Sequence, residues 1–148
     1  MNSNWNGNWV WSVPLIVLSV IYHVFCWAFI NEKVVQATQI LQRGRSFIFV
    51  FALAMGITTL LATLLHASEA GMWAWVYSIL GALPDRKSAM LYSLSAMTSY
   101  GHESFDLAGH WRLMGALEAL NGMILFGLTT AFLYATIQKV WPRSNDER

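Results

Sequence analysis

Charge is scarce in this chain. Only 11% of its 148 residues are Asp, Glu, Lys or Arg, where a water-soluble domain carries about 25%. The net charge of +1 leaves no electrostatic footprint for DNA or RNA, so no nucleic-acid partner is expected. A single cysteine, Cys26, excludes an intrachain disulfide and a multi-cysteine zinc site. Enzyme motifs are missing too. There is no phosphate loop, HExxH, GxSxG or nucleotide fingerprint, and no catalysis is expected. What the sequence does have is apolar side chains, 56% of the total, with a mean hydropathy of +0.45. That composition places one domain in a bilayer.

Three segments are long enough to cross it, given that a span needs about 20 apolar residues. Val10–Ile30 and Phe47–Leu65 carry no charge, and Met114–Ile137 carries only Glu118. The first segment has no basic leader region and exceeds a signal-peptide core in length. Tryptophans mark the expected interfaces: Trp5, Trp9 and Trp11 around the start of the first span, Trp111 and Trp141 around the third. Lys33, Arg43 and Arg45 in the connection 31–46, and Lys139, Arg143 and Arg148 near the C-terminus, place those segments inside. The expectation is a multi-pass protein of the inner (plasma) membrane, N-terminus outside and C-terminus cytoplasmic.

The long connection from His66 to Leu113 is too apolar for a solvated loop. Its first part, 70–83, is expected to form an interfacial or cap helix stopped by Pro84. Asp85 then caps a helix over 86–98. At 1.5 Å per residue such a helix covers about 18 Å, too short to cross and suited to a re-entrant segment. A polar stretch with one glycine, Thr98–Phe105, follows it. The fold class expected is an all-α membrane protein: three transmembrane helices, with a re-entrant pore helix and filter-like loop between the second and third. The domain reading is an extra helix and cytoplasmic loop (1–46), a pore module (47–141) and a short tail (142–148). The module comprises an outer helix 47–66, the helix 70–83, a pore helix 86–98, a filter-like loop 99–105 and an inner helix 111–140.

Tyr92–Ser104 (YSLSAMTSYGHES), followed by WRLMGALEALNG from Trp111, resembles the pore module of tetrameric potassium channels, the small bacterial members above all. That family carries a TT-V/L-GYGD filter motif. Laid without gaps, Thr98 and Ser99 fall on its threonines, Tyr100 on the Val/Leu and Gly101 on the first glycine. His102 falls on the tyrosine, Glu103 on the second glycine and Ser104 on the aspartate. The resemblance implies a homotetrameric, pore-loop channel for monovalent cations, potassium or sodium, and no bound cofactor. Thr98, Ser99, Tyr100, Gly101, His102 and Glu103 would form the filter and its outer mouth. A potassium filter relies on successive carbonyls that replace the hydration shell. Its second glycine adopts a conformation that costs a non-glycine residue about 1–2 kcal/mol. Glu103 in that place therefore leaves potassium selectivity doubtful.

Other residues have plainer readings beside this one. Glu118, inside a span, must face protein or water. It supports the pore helix through Ser93 or Ser95, or lines the pathway. Asn121 shares its face and lines the cavity or bonds across helices. Gly122 and Gly127 are hinge candidates, or simply permit close packing. Thr58, Thr59 and Thr63 are expected to bond their own helix backbone. His23 and His66, with His102 and His110, admit an alternative: a small membrane redox subunit holding haem or quinone. Their spacing is not diagnostic. A non-conducting membrane scaffold is the third reading.

Overall fold

The computed structural model describes residues 3–42, 46–100 and 107–141. Among them are four helices: α1 (Ser3–Leu41), α2 (Phe47–Ile79), α3 (Arg86–Met97) and α4 (Arg112–Val140). α1, α2 and α4 are long and apolar enough to cross a membrane. α3, with 12 residues, is about 18 Å long.

Two boundaries differ from the sequence expectation. α1 does not stop at Ile30 but continues to Leu41 through much of the expected cytoplasmic loop. Local bonds carry it there: Gln36 Nε2 donates to Glu32 Oε1 at 3.0 Å, and Thr38 Oγ1 to the Val34 carbonyl at 2.7 Å. Arg43 and Arg45, which weigh on the orientation, lie outside the described residues, as does the tail 142–148. In the same way, 70–83 is not a separate cap helix. α2 runs unbroken from Phe47 to Ile79. Gly71 is the lone weak helix former near the expected break, and one glycine costs only about 1 kcal/mol.

Both ends of the α2–α3 hairpin have a local cause. Gly81, not Pro84, terminates α2. At φ 60 it turns the chain, its N–H donates to the Ser78 carbonyl, and the Ala82 N–H reaches the Tyr77 carbonyl. That pair of bonds is a Schellman motif, which satisfies carbonyls the helix end leaves open. Asp85 caps α3 as expected, accepting from the Lys87 and Ser88 backbone N–H groups at 2.9 Å.

The directions of the helices follow from their cross-contacts. Tyr77 meets Glu118 and His66 meets Thr129, so α2 and α4 are antiparallel. Asn8 meets Met114, Ser19 meets Asn121 and Asn31 meets Thr136, so α1 and α4 run parallel. α3 also runs parallel to α4, because Tyr92 abuts Gly115 and Met97 abuts Gly122. α1 and α3 each pack against both α2 and α4. The main apolar core lies at the α3 end of the bundle, built from Leu15, Trp73, Tyr77, Ala89, Tyr92 and Met114 among others.

Candidate functional site

Two sites draw on the residues singled out above. The first is the junction of α3 with α4. α3 ends as α2 does, but with serine at the turn. Ser99 has φ 55, its N–H donates to the Ala96 carbonyl, and the Tyr100 N–H reaches the Ser95 carbonyl. A left-handed serine costs about 1–2 kcal/mol relative to glycine. The Thr98 hydroxyl donates to the Leu94 carbonyl at 2.7 Å, so it is engaged by its own helix. Tyr100 is 88% exposed. Gly101, His102 and Glu103 lie outside the described residues.

The chain then regains the level it left. The Ala108 N–H donates to the Ala82 carbonyl at 3.3 Å, beside the α2–α3 turn. α4 begins there, with Asn8 of α1 over its first turn. Asn8 Oδ1 accepts from the Met114 N–H at 3.0 Å, and Nδ2 donates to the His110 carbonyl at 2.7 Å. A helix N-terminus leaves N–H groups without partners, and a side chain from another helix here takes one.

Below this level, α3 lies tightly on α4. Gly122 is where they touch. A Cβ there would lie 2.7 Å from Met97 Cα and closer still to its carbonyl oxygen. Gly127 has no atom within 4 Å of that position. Glu118 is fully buried, and Tyr77 Oη donates to its Oε2 at 2.8 Å. Of its two expected partners, Ser95 donates instead to the Leu91 carbonyl. Ser93 lies beside the carboxylate, but its hydroxyl makes no hydrogen bond. Asn121 Nδ2 donates to Ser19 Oγ on α1 at 2.9 Å, the cross-helix alternative of its two readings. Thr58, Thr59 and Thr63 each bond the carbonyl four residues back, as expected.

The second site lies where α1, α2 and α4 meet. His23 Nδ1 is 2.8 Å from Glu69 Oε1, and His66 Nδ1 is 3.1 Å from Glu69 Oε2. The opposite nitrogens converge on one hydroxyl: Thr129 Oγ1 is 2.9 Å from His66 Nε2 and 3.3 Å from His23 Nε2. His23 and Glu69 are fully buried, and His66 is 15% exposed. Aromatic walls fix the rings, Trp27 stacked beside His23 and Phe126 beside His66. An ionisable cluster this deep in apolar helices must be held by its own internal bonds.

His66 does not end its helix, as the apolar run ending at Leu65 suggested: it is inside α2, which continues to Ile79, with its ring centre 5.5 Å from that of His23. Both Nδ1 atoms lie against the one Glu69 carboxylate, with the rings tilted by 41°. Three ligand-bearing side chains gathered this closely suit a single small cation. Glu69 and Thr129 are the residues sequence reasoning missed. The legible signal was His66-x-x-Glu69, which puts an imidazole and an acid one turn apart on a single helix face.

Comparison with known protein families, curated proteins and solved structures gives no match to this chain.

Proposed function

We propose that this chain is one subunit of a tetrameric pore-loop channel for monovalent cations. One observation carries the reading: α3 and α4 run in the same direction from the same level. Had α3 crossed the bilayer, α4 would run with α2, and it runs against it. The α3 helix instead descends beside α4 as far as Gly122, about 15 Å down at 1.5 Å per residue. The chain then returns to Ala108 before α4 begins. A short helix that enters, ends at membrane depth and comes back by the same face is re-entrant. Non-helical backbone at that depth persists only where protein or water covers it.

The C-terminal end of α3, which carries the negative end of the helix dipole, would then point into the bilayer and favour a cation below it. Exposed apolar residues on α3 and α4, including Leu91, Leu94, Leu120 and Ile124, give neighbouring subunits a surface to cover. α1, α2 and α4 alternate in direction, so the first and last spans begin on the same side; the lysines and arginines of 31–46 and of the C-terminal segment argue for a cytoplasmic C-terminus and an N-terminus outside. Glu103 in place of the second filter glycine argues for potassium and sodium both permeating.

The test is reversal potential across a planar bilayer containing purified protein, with potassium chloride opposed to sodium chloride. At equal concentrations a potential near zero is expected, and with a potassium chloride gradient across the same bilayer a potential near the cation limit. A potential near the chloride limit in the gradient refutes the proposal, and no current at any voltage and pH refutes it and favours a scaffold. Cross-linking in mild detergent should stop at four subunits, and a predominant monomer or dimer refutes the tetramer.

A further inference from the structure

We propose that His23, His66 and Glu69 bind a borderline divalent transition-metal ion, of which zinc is the type, inside the helix bundle. The ligand atoms are His23 Nδ1, His66 Nδ1 and the Glu69 carboxylate. One ligand atom from each of these residues lies within 4.8 Å of the others. In a tetrahedral zinc site with bonds of about 2.0–2.2 Å, ligand atoms sit about 3.3–3.5 Å from one another. The carboxylate oxygens are 2.8 and 3.1 Å from the two Nδ1 atoms, so an ion would have to spread the ligands by about half an ångström or less to reach the lower end of that spacing.

Proton bookkeeping shows why a cation belongs there. Thr129 has one hydrogen and meets two imidazole nitrogens. At most one Nε2 can accept from it, so at least one Nε2 carries a hydrogen that it accepts. Take both rings as neutral and Glu69 as ionised, with His23 Nδ1–H donating to Glu69 Oε1. Thr129 then donates to His23 Nε2 and accepts from His66 Nε2–H. His66 Nδ1 and Glu69 Oε2 then lie 3.1 Å apart with no hydrogen between them. Neither of these two buried atoms has a hydrogen-bond partner. A positive charge beside both offsets the repulsion of two such electron-rich atoms. A metal ion supplies it and also replaces the proton on His23 Nδ1.

With the ion in place, both histidines carry their hydrogen on Nε2, and both donate to the two lone pairs of Thr129 Oγ1. Metal-bound imidazoles commonly donate their other N–H to such a partner, which fixes ring and tautomer. Two nitrogens and a carboxylate suit zinc and its neighbours; calcium and magnesium prefer more oxygen ligands. Three protein ligands leave a fourth position open. His66, the partly exposed member, lies on the accessible side. The site stands whether or not the chain conducts.

The experiment uses the full chain, with any affinity tag removed, purified in detergent and stripped with chelator. Zinc chloride is added, excess is dialysed away, and metal is counted by mass spectrometry. About one zinc per chain is expected. Thr129→Val should weaken binding about 10–100-fold, the usual effect of losing an orienting partner. The double variant His23→Gln/Glu69→Gln should retain none. Cobalt(II) added to the stripped wild-type protein should give the visible absorption of a tetrahedral site, a readout that does not depend on any variant folding. Metal no higher than in a protein-free blank, or cobalt without that absorption, means that the cluster holds a proton only and overturns the proposal. Undiminished zinc in a folded double variant, or zinc lost on Cys26→Ser, overturns it equally.

Discussion

Gly122 offers the sharpest test of how α3 is seated. Its hypothetical Cβ meets backbone, not a side chain that can swing away: 2.7 Å to Met97 Cα and 2.9 Å to its carbonyl carbon. Non-bonded carbons prefer about 3.5–4.0 Å, so Gly122→Ala requires α3 to withdraw by about 1 Å. Overpacking of that kind costs about 1–3 kcal/mol. Alanine also brings a gain, because it favours helix over glycine by about 1 kcal/mol. Gly127→Ala isolates that gain, since nothing lies within 4 Å there. The two variants, identical in chemistry and five residues apart on one helix, should thus differ in stability by about 1–3 kcal/mol. Thermal unfolding of detergent-solubilised protein, followed by tryptophan fluorescence, reads the difference. Gly127→Ala should melt at or above wild type and Gly122→Ala several degrees below Gly127→Ala. Equal melting temperatures, or a more stable Gly122→Ala, would mean that α3 does not lie on α4 at Met97.

Ser99→Gly removes a left-handed strain and should raise stability by up to about 1 kcal/mol, whereas Ser99→Ala should not; a Ser99→Gly variant that melts below wild type would count against the turn. Tyr77→Phe takes from the buried Glu118 the donor it has at 2.8 Å. It should cost about 1–3 kcal/mol in the same melt, and no change would show that the carboxylate is satisfied elsewhere. Asp85→Ala should destabilise the α3 N-terminus. The Ser88 backbone N–H and hydroxyl, then the Lys87 N–H, hold the Asp85 carboxyl below its usual range by bonding the charged form. A depressed folded value means that the stabilisation is complete above the unfolded value of about 3.9 and is lost as pH falls through the lower folded one. The melting gap between wild type and Asp85→Ala should therefore hold steady at neutral pH and close below about pH 4; a gap unchanged in strong acid contradicts the cap.

The elements most legible in the sequence were those with a local cause. Asp85 as a cap, and the short apolar run behind it, placed α3 to within a residue, because a cap and a length are local quantities. The uncharged runs marked the membrane helices for the same reason, although helix ends were misread where no residue opposed continuation. Residues 31–41 and 66–79 contain nothing that breaks a helix, so charge and aromatic content alone were poor guides to loops. The buried cluster was illegible for a different reason. His23, His66, Glu69 and Thr129 come from three helices, and only packing brings them together. Glu69 falls in the stretch expected to connect two spans, whereas an acid one turn after His66 in an apolar stretch marks a shared face.

α1 shows what packing adds beyond the pore-module pattern, in which it has no counterpart. It is fastened to α4 along its length: Asn8 at Met114, Ser19 at Asn121, His23 at Thr129, and Asn31 at Thr136, where Thr136 Oγ1 donates at 3.0 Å. Apolar burial drives little association between helices in lipid, so polar pairs and close packing must do it. Each such pair contributes about 0.6 kcal/mol, rising to about 1.7, and four of them add to a few kcal/mol. Without α1, Asn121 loses its partner, and the Met114 N–H, Thr129 and Thr136 each lose one of two. A chain comprising 47–148 alone should therefore aggregate or scatter in size on gel filtration. Co-expression with 1–46 as a separate piece should restore a single species. A monodisperse, helical 47–148 would show instead that α4 holds its place without α1, and that these bonds orient the first helix and do not support the last.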